Sequence, residues 1–442
     1  MSVFDASLLP RSATIDAAGR LSVGGRDVGA LAEEFGTPLY LYDEAELRGR
    51  CREYRAGFPG GVAYASKAFL CGAMVRLVDE EGLDLDVATG GELALALAAG
   101  FPASRIVMHG NNKSVAELRD AVRADIRHVV LDSVDELDRI EALVRSESLP
   151  SARLLVRVNP GVDAHTHEYL ATGTVDSKFG FGLESGAALR VVEHIAASNV
   201  VTFDGLHAHI GSQIFRPEGF EAALQRLVAL VAEIETTVGI EVGELSLGGG
   251  LGVRYLATDD PPSIARHAAG VHEQFGAALA AHGVRSRPAL TTEPGRSIAG
   301  PAGLTIYRVG TVKEVPGIRT YVSVDGGISD NPRPALYGAG YETFVPTRVT
   351  ADRTRIVTIA GKHCEQGDLL VRDAAVPADL AVGDLLVTPC TGAYGHAMAS
   401  NYNAALRPAV VFVRDGDARL VVRRETVDDL LARDLFGRLD PV

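Results

Sequence analysis

At 442 residues the chain is too long for one ordinary domain, and a composition of 47% hydrophobic and 23% charged residues is that of a compact globular protein rather than a disordered one. A formal charge of −14 opposes nucleic-acid backbones and anionic membrane surfaces, so neither is expected as a partner, and an anionic ligand would need a local positive pocket. Four scattered cysteines, Cys51, Cys71, Cys364 and Cys390, show neither metal-ligand spacing nor disulfide density, which fits a reducing cytoplasm.

The opening MSVFDASLLPRSATIDAAGR has no basic stretch leading into an apolar one, and nowhere do about eighteen apolar residues run together. Secretion and membrane spanning are not expected. The first 35 or so residues, with the short runs LSVGG and PLYLYD (38–43), are read as an N-terminal segment, 1–35, that joins a later β domain and could supply a strand to it.

From residue 36 to about 300, short apolar runs alternate with amphipathic segments. The runs are VAYASKA (62–68), LDLDVAT (83–89), RIVMHG (105–110), HVVLDS (128–133), RLLVRVNP (153–160), FDGLHAHIG (203–211), ELSLGGGLG (244–252) and ALTTEPGR (289–296). Helices are predicted between them over 91–100, 114–124, 133–145 and 219–238, with capping pairs Ser114/Glu117 and Ser133/Glu136. Eight strand-and-helix repeats predict an α/β fold, a (β/α)8 TIM-type barrel, with an open doubly wound sheet as the alternative. Residues 301–442 turn to short β runs, among them a hairpin about Asp415-Gly416-Asp417, and predict a mostly antiparallel β domain.

In such a barrel the chemistry lies at the C-terminal ends of the strands, and phosphate is commonly held by the loops after strands seven and eight. Those loops are GGGLG and EPGR. Lys67 ends strand one; it is either a solvated lysine or an amine able to hold an aldehyde as a Schiff base. Gly248, Gly249, Gly250 and Gly295 let backbone approach an anion closely, and Arg296 adds a guanidinium. Amine and anion cradle together describe a seat for pyridoxal phosphate.

Glu293 would keep a pyridine nitrogen protonated, making the ring a strong electron sink. His209 can stack on a ring and Ser212 can bond a phosphate, while His207 reads equally as a structural histidine beneath the site. Arg157, Asn159 and Asp86 also reach strand ends, and Arg157 is a candidate to neutralise a phenolate oxygen. No usual metal-ligand set accompanies the two histidines, and no metal is expected.

In order along the chain, YASKA, DVATGGEL, HEYLATGTVDSKFGFGL, HAHIGSQ, LGGGLG, EPGRSIAGPAG, NPRPALYGA, GKHCEQGD and GAYGHAMASNYN resemble the diaminopimelate decarboxylases, over about residues 35–430. That family combines an alanine-racemase-like barrel with a β domain and uses pyridoxal 5'-phosphate. The resemblance implies that Lys67 is the Schiff-base lysine, that His209 stacks on the ring and that Glu293 meets the pyridine nitrogen. It implies Gly250, Gly295, Arg296 and Tyr394 at the phosphate, and Arg296, Arg333, Tyr337 and Tyr394 around the substrate carboxylates. Glu365 would read the distal amino group and Cys364 would return a proton to carbon.

The implied reaction converts the small-molecule amino acid meso-2,6-diaminopimelate to L-lysine and carbon dioxide, in a homodimer whose sites are shared across the interface. The chain departs from the family at Gln366, where serine is more usual, and in having Gly395-His396 after GAY. The rival readings are a decarboxylase of ornithine, arginine, lysine or carboxynorspermidine, and a non-catalytic pyridoxal-phosphate carrier. Carriers lack a β domain, and basic amino acids lack the second amino-acid end that Glu365, Arg333 and the SKFG loop (177–180) would read.

Overall fold

The computed structural model describes residues 4–162 and 177–435. Of HEYLATGTVDSKFGFGL, residues 167–176 lie outside the described residues. The chain divides into two compact units: Arg50–Val253 with Asp260–Ser297, and Met1–Gly49 with Arg254–Asp259 and Ile298–Val442.

The first unit is the barrel. Its strands are Ala63–Ala65, Asp84–Val87, Ile106–Met108, His128–Leu131, Ala152–Asn159, Val201–His207, Glu244–Ser246 and Ala289–Thr291, parallel and in sequence order. Six lie inside their apolar runs, while Ala152–Asn159 and Val201–His207 begin one and two residues before theirs. Closure comes from Ala63 N–H donating to Thr292 O at 3.0 Å and Ala65 N–H donating to Pro294 O at 3.1 Å, which joins strand one to the end of strand eight. Strands covered on both faces read as unbroken apolar stretches rather than alternating ones, and Val107, Val130 and Leu155 from neighbouring strands form one buried cluster.

Between strands run helices Gly90–Ala98, Val115–Arg123, Val134–Glu147 and Glu218–Thr237, among others. The Ser114/Glu117 capping box is complete in both directions. The second is only half made: Ser133 Oγ accepts from Glu136 N–H at 3.3 Å, but the Glu136 carboxylate takes Asp132 N–H at 2.9 Å and Lys113 Nζ at 2.6 Å instead. A buried lysine is the stronger claimant on that carboxylate than a surface backbone amide.

The second unit is built on a β-sheet in which five strand pairs are antiparallel and two parallel. Here the expected boundary at residue 35 is corrected. Segment 36–49 belongs to this unit, because Leu39–Asp43, every residue of it buried, pairs antiparallel with Gly303–Val315 and parallel with Ala409–Arg414. The strands of residues 1–35, Thr14–Ile15, Leu21–Val23 and Arg26–Asp27, form a small separate sheet rather than extending the large one. The small sheet packs on the large one through Leu21 and Val23, and the following helix Val28–Phe35 through Val28 and Leu31, all sharing a core with Leu39, Leu41, Leu304, Ile306 and Val411. The hairpin forms between Ala409–Arg414 and Asp417–Val422, with Asp415 (φ 52°) and Gly416 (φ 86°) supplying the two left-handed residues that such a turn needs.

Candidate active site

The C-terminal ends of the barrel strands gather Lys67, Asp86, His109, Arg157, His207, His209, Ser246, Glu293 and Arg296 into one mouth. Lys67 stands in a short turn, Ser66–Ala68, directly after strand one, with its side chain exposed. It is close enough to Asp86 and His209 to bias the ionisation of both.

Gly295, in the loop after strand eight, packs against that same turn: a Cβ there would sit 3.0 Å from Ala65 Cβ, Ala65 O and Ala68 Cβ. Only a glycine lets the EPGR loop and the strand-one tip approach this closely. Gly250, at φ +127°, adopts a conformation open to glycine, and a Cβ there would meet Gly211 O at 2.9 Å. The loops after strands six, seven and eight are thus drawn together. Across them Arg296 donates to Ser212 Oγ through Nε at 3.1 Å and Nη2 at 2.8 Å.

Glu293 is buried and held from several sides. Its Oε2 lies 3.0 Å from His207 Nε2 and its Oε1 accepts from Ser246 Oγ at 2.9 Å, while His109 Nε2 stands 3.4 Å away. Burial alone would raise its pKa, but His207 and His109 hold the acid well below the usual carboxylate range. Asp86, 3.6 Å from His109 Nε2, is pushed up to about 6, chiefly by burial, with Glu293 adding to the effect and His109 and Lys67 opposing it.

A carboxylate can only accept, so His207 presents Nε2–H to Glu293; its Nδ1 is buried with no hydrogen-bond partner among the described residues. A second proton there would have no acceptor. Burial accordingly lowers His207 to about 4, against the pull of Glu293. His209 is kept neutral in the same way: burial, then Lys67 and Arg157, hold it well below the ordinary histidine value, and its Nδ1 accepts Gly249 N–H at 3.2 Å. His109, His207 and Glu293 each bring a possible metal-ligand atom within 4.8 Å of the others, but His207 and Glu293 are bonded to one another rather than open to an ion.

Arg157, at the end of strand five, has partners inside the barrel. Its guanidinium is 3.7 Å from Asp132 Oδ2 and lies 4.3 Å from the Phe179 ring centroid, while Asp132 Oδ1 takes Gly180 N–H at 2.7 Å. The SKFG loop is therefore pinned onto strands four and five. Asn159 Oδ1 accepts Gly161 N–H at 3.0 Å, turning the chain at the end of strand five.

The remaining expected residues lie in the β unit. Arg333 opens the short helix Arg333–Tyr337 and is buried; it donates to Tyr341 Oη and stacks 4.5 Å from the Tyr255 ring centroid. Tyr337, at the other end of that helix, is half-buried. Cys364 and Glu365 stand exposed, with Gln366, at the tip of a loop whose base is tied by Asp368, which takes the backbone N–H groups of Ile328 at 2.6 Å and His363 at 2.8 Å. Tyr394 is half-buried with φ 62°, a strained value for a side chain of that size.

Two residues of the mouth were not singled out from sequence, His109 and Ser246. Both end barrel strands, His109 in RIVMHG and Ser246 in ELSLGG, so the strand-end rule that selected Lys67 and Glu293 would have found them.

Residues 44–300 match the family described as pyridoxal-dependent decarboxylase, pyridoxal binding domain. The chain is 48% identical over 436 residues to the diaminopimelate decarboxylase of Mycobacterium tuberculosis H37Rv, covering 96% of this chain and 97% of that one. The chain belongs to the diaminopimelate decarboxylase family.

It is also 47% identical over 422 residues to the Bacillus subtilis diaminopimelate decarboxylase, covering 94% and 95% of the two chains. Among solved structures, the diaminopimelate decarboxylase of M. jannaschii in complex with L-lysine superposes with a TM-score of 0.89 at 33% identity, covering 98% of each chain. As a family member the protein is a pyridoxal-phosphate-dependent carbon–carbon lyase. The mouth fits that cofactor on its own terms, offering an amine, a fixed carboxylate, a neutral imidazole, and a guanidinium beside a glycine-lined turn. No helix among the described residues is long and apolar enough to cross a membrane.

Proposed function

We propose that the protein removes carbon dioxide from the D-configured end of meso-2,6-diaminopimelate to give L-lysine, working as a cytoplasmic homodimer. The observation that supports this reading is the close approach of the EPGR loop, which carries Glu293 and Arg296, to the strand-one turn, which carries Lys67.

When bound, pyridoxal phosphate supplies the electron sink that takes up the pair from the breaking carbon–carbon bond. Lys67 is the residue for its aldehyde; Ser212, Gly250, Gly295, Arg296 and Tyr394 for its phosphate; Glu293 for its ring nitrogen; His209 for its face. The neutral state of His209 suits stacking, because an imidazolium would oppose the positive charge that Glu293 favours on the ring. Asp86 and Arg157 tune this charge from the rim. Arg296, Arg333, Tyr337 and Tyr394 grip substrate carboxylate, and two tyrosines already hold the Arg333 guanidinium in one orientation.

Glu365 reads the far amino group, and Cys364 Sγ delivers the proton that replaces the lost carboxylate. Both serve the partner's pocket, a role that their exposed loop tip leaves open to them. Purified enzyme given meso-diaminopimelate, ornithine, lysine and alanine separately should evolve carbon dioxide from the first alone, with L-lysine as product. Release from ornithine at a comparable rate would overturn the substrate assignment. Mixing inactive Lys67→Ala and Cys364→Ala proteins should restore about a quarter of wild-type activity if sites are shared between two copies.

A further inference from the structure

Glu293 Oε2 is satisfied by His207 and Oε1 by Ser246, whose own Oγ also accepts Gly248 N–H at 3.2 Å. His109, at the end of strand three, is nine-tenths buried, and its Nε2 has no hydrogen bond of good geometry. That nitrogen faces two acceptors at nearly equal range, Glu293 Oε1 at 3.4 Å and Asp86 Oδ1 at 3.6 Å. An imidazole nitrogen carries one N–H and can serve one of them at a time. The edge of the His207 ring, 4.8 Å away between centroids at 65°, limits how far His109 can swing.

We propose that His109 is a positioning residue that closes onto Glu293 as its third donor, so that this carboxylate and not that of Asp86 is the fixed anion of the pocket. The inference rests on the reading of the pocket given above and deepens it. Donors already in place at an anion need no reorganisation during the reaction, and separations seen without ligand commonly shorten once the site fills. The charged and titratable groups around Glu293 are His109 just after strand three, Asp86 on strand two, Arg157 on strand five, His207 at the end of strand six and His209 just after it, with Lys67 beyond Asp86. Among the neutral donors, Ser246 is the remaining fixed partner.

The test compares holoenzyme of wild type, His109→Phe, which fills the ring's space without a donor, and His109→Gln, which restores an N–H. The readouts are the 15N shift of ring-labelled pyridoxal phosphate against pH, and kcat and KM separately. His109→Phe should move the ring-nitrogen titration to lower pH and lower kcat roughly 10- to 100-fold, the worth of a hydrogen bond to a charged group, with KM little changed. His109→Gln should recover most of both.

A ring-nitrogen titration in His109→Phe that matches wild type overturns the proposal, as does a His109→Gln protein no better than His109→Phe. In case the Phe variant does not fold, 15N-histidine spectra of wild type give an independent answer: His109 Nε2 must carry its proton, and a bare Nε2 refutes the assignment. None of these spectra depends on which amino acid is decarboxylated, so a wrong substrate would appear in the substrate panel and not here.

Discussion

A carboxylate taken out of water keeps its charge only where hydrogen-bond donors replace the lost solvent. Glu293 has those donors and Asp86, on the other side of His109, has fewer, so one mouth holds an acid held well below the usual carboxylate range beside one pushed up to about 6. The split assigns different work to two chemically similar residues. At this scale the expected outcome is sharp for Lys67: replacement by Ala should abolish carbon dioxide release together with the visible absorption band of bound cofactor, both read on the purified variant. Retention of the band would remove Lys67 from its role. The expectation that Lys67 and the glycine turns matter came from residue type and strand-end position alone. That His207 donates to Glu293, and that Arg157 leans on Asp132 and Phe179, depended on which strands are neighbours around the barrel.

Between elements, two devices hold the mouth together. Gly295 lets the loop after strand eight touch the turn after strand one, so Gly295→Ala should force them apart. The expected result is at least a roughly tenfold weaker hold on pyridoxal phosphate, measured by absorbance titration, since displacements of an ångström at such sites are costly. Lys113 Nζ ties Gly110 O and Val130 O, each at 2.8 Å, to Glu136, linking the loop after strand three to strand four and the helix that follows it. Its pKa is lowered by burial, against the pull of Glu136. Removing only the acid, as in Glu136→Ala, leaves a buried cation unpaired and should cost about 3–5 kcal/mol in urea unfolding, whereas Lys113→Met with Glu136→Leu should cost markedly less. The eight strands were legible because each is short, apolar and bounded by polar helix starts. The two-sided pairing of Leu39–Asp43 was not, since a five-residue apolar strand carries no mark of whether its partners lie next in sequence or some 260 residues on.

For the molecule as a whole, burial leaves several titrations displaced in the folded state. His207, His267 and His396 are each lowered to about 4, mainly by burial, so the unfolded chain binds protons there that the folded chain refuses. Their stabilisation is complete above about pH 6.5 and is lost as pH falls toward 4. Asp86 and Asp330, raised by burial to about 6 and about 7, act in the opposite sense, since the folded protein retains protons that the unfolded chain gives up. His209 is lowered and Asp368 raised as well, both mainly by burial, so four histidines stand against three acids and leave a net gain as pH rises. Melting temperature should therefore climb from pH 4.5 to about 7 and then level, and His267→Leu should flatten the climb. A melting temperature that falls over that interval would contradict the balance.

Residue order by itself determined the barrel, the β-rich second half, the Asp415-Gly416 turn and the placing of reactive side chains at strand ends, because hydrophobic period, caps and turn residues act over a few neighbours. Tertiary structure alone decided that the LYLYD strand lies between Gly303–Val315 and Ala409–Arg414 in the C-terminal sheet and that the EPGR loop seats against Ala65. It also decided that Glu293 and Asp86 part company, through whichever histidines the closed cylinder brings beside them. Those outcomes turn on distances between atoms far apart along the chain, and only closure of the barrel and pairing of remote strands set them.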